Sequence, residues 1–138
     1  MEETLIKETL ILDSNQESIN KVNAYVDEVF AVHSDKLNDS YGNMIIALTE
    51  GVNNAITHGN KSDETKKVLV NYKQLKNGVS FTIQDEGEGF DYTNIPDPTA
   101  PENREKINGR GIFLMTQLAD KIEFQENGKK IELIFNFA

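Results

Sequence analysis

The chain has 138 residues, no cysteine, and 14 Lys and Arg against 23 Asp and Glu, for a net charge of −9. That length predicts one domain able to bury its own core, and the missing thiols exclude disulfides and cysteine-ligated metals. The negative balance argues against nucleic acid and anionic membrane surfaces as partners, since both are met with Lys and Arg.

Residues 4–12 (TLIKETLIL) read as a first strand, the plausible edge of a sheet. Residues 1–9 hold three glutamates and no apolar signal segment. No apolar run approaches the ~18 residues of a membrane span, so a cytoplasmic chain is expected. Asp13, Ser14 or Asn15 can cap a helix over 16–32, whose Ile19, Val22, Val26, Val29 and Phe30 share one face. A polar break at 33–40 follows. A second helix is predicted over 40–58, with Tyr41, Met44, Ile45, Leu48, Val52, Ala55 and Ile56 inward and Gly59-Asn60 as its stop.

Val68–Tyr72 and Val79–Asp85 alternate as strands around a hairpin turn at Lys76-Asn77-Gly78. Residues 86–108, with all three prolines, form a long loop of the kind that is usually functional or disordered. A third helix is predicted over 110–119, with Ile112, Met115 and Leu118 or Ala119 inward. Two strands follow, 121–126 and 130–137, turning at Asn127-Gly128. The order β-α-α-β-β-loop-α-β-β predicts an α+β fold, a two-layer α/β sandwich. Its mostly antiparallel mixed sheet is covered on one face by three helices.

Three short stretches ask for more than structure. In the second helix Glu50, Asn53, Asn54 and Thr57 fall within roughly a third of the circumference at about 100° per residue. A solvated face would explain them. Yet two adjacent asparagines are poor helix formers, and Gly51 costs about 1 kcal/mol relative to Ala. An acid and an amide one turn apart offer a proton acceptor and a hard oxygen ligand for Mg²⁺.

The second stretch is Asp85-Glu86-Gly87-Glu88-Gly89-Phe90. Under strand alternation Asp85 shares the face of Val79, Phe81 and Ile83. A carboxylate on the core side needs donors, and an amino group such as adenine N6 is a candidate. Gly87 and Gly89 let backbone pass close to a flat ligand. An acidic turn is the alternative. A calcium loop fails, because its third and fifth positions would be Gly87 and Gly89. No Walker loop, G-x-G-x-x-G, H-E-x-x-H or G-x-S-x-G motif is present.

The third stretch, Asn108-Gly109-Arg110-Gly111-Ile112, opens the third helix, where free N–H groups and Arg110 suit phosphate oxygens. A plain helix cap is the alternative.

Together and in this order, "ALTEGVNNAITHGN", "DEGEGF" and "GRGIFLM" resemble the N, G1 and G2 boxes of the histidine-kinase-like (GHKL, Bergerat-fold) ATPases. The short chain most resembles the bacterial anti-sigma-factor serine/threonine kinases. The resemblance covers essentially the whole chain and implies ATP and Mg²⁺ as cofactors. It implies Glu50 as general base, Asn54 as Mg²⁺ ligand and Asp85 as the adenine contact. Gly87 and Gly89 would shape the adenine edge, 91–108 would be a lid, and Gly109, Arg110 and Gly111 would meet the phosphates. Thr57 stands where histidine kinases often carry a lysine, which leaves His58 as a phosphate neighbour or, more simply, a helix cap. The implied partners are a STAS-domain anti-anti-sigma protein phosphorylated on serine, a sigma factor held in an inactive complex, and a second copy joined through the sheet edge. A nucleotide-gated partner-switching module without kinase activity is the competing reading.

Overall fold

The computed structural model describes residues 9–37, 40–88 and 107–137. Residues 4–8 of the expected first strand and 89–106 of the expected loop, Gly89 included, lie outside the described residues. Strand β1 is Leu10–Asp13. Asn15 then caps the next helical segment, its side chain accepting from Ser18 N–H at 3.2 Å, as expected of one of the three candidate caps. A 3₁₀ turn at Gln16–Ser18 leads into α1, Ile19–His33.

Helix α2 is Tyr41–Asn54, shorter than predicted. A π turn at Ala55–Gly59 replaces its last turn, closed by Asn60 N–H donating to Ala55 C=O at 2.8 Å. Nothing in the apolar spacing announces this change of period. Tyr41 is also not inward as expected. It lies on the surface, its hydroxyl donating to Asp27 at 2.6 Å and its ring 5.0 Å from Phe30.

Strands β2, Lys67–Leu75, and β3, Gly78–Gln84, form the predicted hairpin. Helix α3, Ile107–Leu118, precedes β4, Lys121–Gln125, and β5, Lys130–Asn136. The sheet order is β1-β2-β3-β5-β4, and every described pairing is antiparallel. The expected α+β sandwich is what forms. Its sheet contains no parallel pair among the described strands, because each strand meets its neighbours in antiparallel register.

That register places one apolar row above another. Val70 faces Ile83 and Tyr72 faces Phe81; Phe81 faces Leu133 and Ile83 faces Ile131. All are buried, and full burial of a side chain such as Phe81 is worth about 1.5–3 kcal/mol. The helices cover this face. Tyr25 of α1 meets Phe81 edge-on at 6.4 Å. In α2, a Cβ added at Gly51 would sit 2.5 Å from Ile83 Cδ1 and 3.1 Å from Met115 Sδ. The mid-helix glycine therefore lets α2 lie close against β3 and α3, which offsets its poor helix propensity. The opposite face carries polar pairs, with Ser80 Oγ donating to Glu132 at 2.5 Å. None of the described helices is long and apolar enough to cross a membrane.

His33 falls in the predicted polar break but ends α1 as a buried residue, paired with the Tyr72 hydroxyl and with its ring 5.5 Å from Phe137. Burial, and secondarily the Lys36 charge, hold its pKa below the ordinary 6.5. The unfolded chain therefore takes up this proton first as pH falls. The stability present above 6.5 is lost on acidification towards the lower folded value. Thermal melts are expected to show a loss between pH 7 and 5.5 that is smaller in His33→Gln. Equal losses in the two proteins would refute the assignment.

Candidate nucleotide-binding site

A cavity of about 100 Å³ opens between α2, the π turn, the end of β3, α3 and the β4–β5 turn. Ala55, Ile83, Ile112 and Ile131 give it apolar walls, while Asn54, His58 and Asp85 bring polar groups to it. The β4–β5 turn can reach this point because Glu126, Asn127 and Gly128 all take left-handed φ, of 52°, 59° and 87°. Asn and Gly adopt that region readily.

Asp85 follows β3 directly, and its N–H donates to Lys129 C=O at 2.9 Å, tying it to the β4–β5 turn. Strand alternation carries its carboxylate to the cavity, as expected. It has one local donor as well: Oδ1 accepts from Gly87 N–H at 2.8 Å. The tight turn after the strand makes that bond possible. Burial raises the Asp85 pKa above its ordinary 3.8; the Gly87 N–H, Lys129 and Lys66 pull the other way. Desolvation thus outweighs its partners, and the group has capacity for another donor.

The glycines around it serve a contact the sequence does not reveal. A Cβ on Gly87 would fall 1.9 Å from Gly59 O, and one on Gly59 would fall 2.3 Å from Asp85 Oδ2. Gly87 therefore admits the π-turn backbone, where the expectation was close passage of a ligand. Glu88 is exposed. Glu86 is exposed too, but it also accepts from Lys67 N–H at 2.8 Å.

Asn54 also lines the cavity, and Glu50 lies one turn before it on α2. Asn54 is only 9% exposed, and among the described residues neither its Nδ2 nor its Oδ1 has a hydrogen-bond partner. Buried amides are rarely left so. A Cβ on Gly111 would meet Asn54 Nδ2 at 2.9 Å, Glu50 Oε1 at 3.0 Å and Asn54 Oδ1 at 3.2 Å. Three of the expected residues are thus brought together, and the missing side chain at 111 keeps the space above them open.

Helix α3 begins at Ile107, before the expected 110, so Gly109 and Arg110 belong to its first turn and Gly111 lies beyond it. Glycine costs about 1 kcal/mol inside a helix, which made the glycines look like a boundary. The burial of Ile112 and Met115 carries the helix across them. Gly111 consequently contributes space, where a free N–H had been expected.

Asn53 and Thr57 turn away from the cavity. Asn53 Oδ1 accepts from Gln16 Nε2 at 3.2 Å, and Thr57 Oγ1 donates to Asn53 C=O at 2.8 Å. His58, expected as a cap, sits exposed on the cavity rim. Among the described residues no three His, Cys, Asp or Glu gather as a metal cage. One amide oxygen beside one carboxylate does suit Mg²⁺, which keeps several waters and shares substrate phosphates.

The model of the family described as "Histidine kinase-like ATPase domain" matches residues 12–135. The chain is 31% identical over 97 residues to Serine-protein kinase RsbW of Staphylococcus epidermidis, covering 64% of this chain and 61% of that protein. It is 30% identical over 93 residues to Anti-sigma F factor of Clostridium perfringens, covering 64% and 65%. To Serine-protein kinase RsbW of Bacillus subtilis it is 26% identical over 97 residues, covering 64% and 59%. The matches therefore span less than two thirds of the length of these relatives. With residues 12–135 matched, and the fold and cavity as described, the chain belongs to the histidine kinase-like ATPase domain family.

Proposed function

We propose that this chain is an ATP-dependent protein serine/threonine kinase of the anti-sigma type. The observation that carries the reading is the polarity of one cavity. A desolvated carboxylate, Asp85, and the unbonded Asn54 amide both line one largely apolar cavity, and Gly111 brings Glu50 together with that amide. An adenine ring suits the slot, its amino group donating to Asp85. The phosphates then run towards Asn54 and the first turn of α3. Asn54 Oδ1 would hold Mg²⁺, which neutralises charge on the phosphates. Gly109 and Arg110 would add N–H groups and a guanidinium there, Gly111 would leave room, and Gly87 with Gly89 would start a lid over 91–108.

Phosphoryl transfer asks the protein mainly for positioning and charge neutralisation. Glu50 would accept the proton of an acceptor hydroxyl as the P–O bond to serine forms and the bond to ADP breaks. The names of the relatives, Serine-protein kinase and Anti-sigma F factor, support a serine acceptor and a sigma-factor partner; in this reading the acceptor serine lies on a STAS-domain protein and the sigma factor is captured. In this reading residues 1–138 act as one cytoplasmic ATPase domain, and a second copy pairs along the β1 edge.

The test is transfer of label from Mg-ATP, marked at the γ-phosphate, to purified STAS-domain proteins of the same genome. Label on a partner serine is the expected result. Tight ATP binding with no transfer to any of them would overturn the kinase reading in favour of a nucleotide-gated binding module.

A further inference from the structure

We infer that Asn60 is a positioning residue that presents Asp85 to the base by locking together the ends of three strands; this rests on the adenine role proposed for Asp85. Asn60 is 1% exposed. Its Oδ1 accepts from Glu86 N–H at 2.8 Å. Its Nδ2 donates to Lys67 C=O and to Ser14 Oγ, each at 3.0 Å. Ser14 Oγ in turn donates to Lys66 C=O at 2.6 Å.

The register gives these bonds their meaning. Leu69 pairs with Gln84, so two residues further out Lys67 stands opposite Glu86, just past the end of the β2–β3 ladder. Asp13 pairs with Lys67, which puts Ser14 opposite Lys66, just past the β1–β2 ladder. The Asn60 carboxamide therefore occupies the place where both ladders stop. It bridges the Lys67–Glu86 pair directly and the Ser14–Lys66 pair through Ser14 Oγ. Glu86 adds a second rung, accepting Lys67 N–H at 2.8 Å.

Asp85 is held between this clip and the contact of Gly59 with its carboxylate. Its partner N–H comes from Gly87, one residue beyond the Glu86 amide that Asn60 grips. An amide is the group that fits, since one acceptor and two donors are all used. A carboxylate at 60 would face Lys67 C=O oxygen to oxygen, and an apolar side chain would strand a buried N–H and C=O. Asn60 also ends the π turn through its backbone N–H, so the irregular turn after α2 and the height of Asp85 are joined at one residue.

A role confined to folding would weaken all nucleotides together, whereas positioning of Asp85 weakens recognition of the adenine amino group alone. The experiment compares Mg-ATP with Mg-ITP, which carries a carbonyl where ATP carries that amino group, by calorimetric titration of the full chain. The wild type is expected to prefer ATP. Asn60→Ala is expected to lower ATP affinity by about 10–100-fold, within the range set by losing one or two hydrogen bonds. Its ITP affinity should stay within about twofold, so that the preference collapses. Ser14→Ala, which removes one bond of the clip and keeps the rest, should lower the preference in the same direction by about threefold to tenfold, and serves if Asn60→Ala does not fold. A folded variant that keeps the wild-type preference, or loses both nucleotides equally, overturns the inference. A wild type with no preference for ATP overturns the adenine role of Asp85 itself, and this inference with it.

Discussion

Asp85→Asn is expected to lower ATP affinity about 100-fold, roughly the loss of a charge-assisted hydrogen bond in a desolvated site, while raising the melting temperature of the ligand-free chain. The two effects have one origin. The folded pKa of Asp85 is raised, first by burial. A raised carboxyl contributes its stability at low pH, where it is protonated, and that contribution is lost as pH rises through the folded value. At pH 7 the ionised group therefore costs stability, and a neutral amide removes the cost. Asparagine keeps an oxygen for Gly87 N–H, so the local turn should survive. It loses the negative charge that favours an incoming amino group. Titration calorimetry and thermal melts at pH 7 check the two halves. Unchanged ATP affinity would sink the adenine role, and a lower melting temperature would show that the Asp85 charge is satisfied within the fold.

Glu50→Gln is expected to cut phosphoryl transfer by about 10²–10⁴-fold, the usual contribution of a positioned base, with ATP affinity changed no more than about threefold. Glutamine keeps the shape and a hydrogen-bonding oxygen against Gly111, whose added Cβ would lie 3.0 Å from Glu50 Oε1. What disappears is the ability to take a proton. Single-turnover transfer rates, measured beside nucleotide binding, separate chemistry from affinity. Transfer at more than a tenth of the wild-type rate would rule out Glu50 as the base.

Much of the fold could be read from local pattern. Val79, Phe81 and Ile83 alternate inward as expected, and the same alternation correctly brings Asp85 to the cavity. Apolar spacing located α1 and most of α2. What escaped depends on contacts between residues far apart in the chain. Asn60 looks like a helix stop, because the strand ends it joins lie at 14, 67 and 86. Gly87 looks like a ligand-facing glycine until Gly59 O is found against it. The π turn is equally silent, since Ala55 and Ile56 are buried whether the period is 3.6 or longer. His58 reaches the cavity rim through that turn.

Gly51 sets a vertical dimension for the whole site. Ile83 forms part of the cavity wall, and it is the Ile83 Cδ1 atom that a methyl at 51 would strike at 2.5 Å. A larger residue there leaves two escapes. Either Ile83 swings and makes the slot shallower, or α2 rises and lifts Glu50 and Asn54 away from β3. The depth of the cavity and the level of the polar groups that α2 carries to it are thus gauged by the same absent atom.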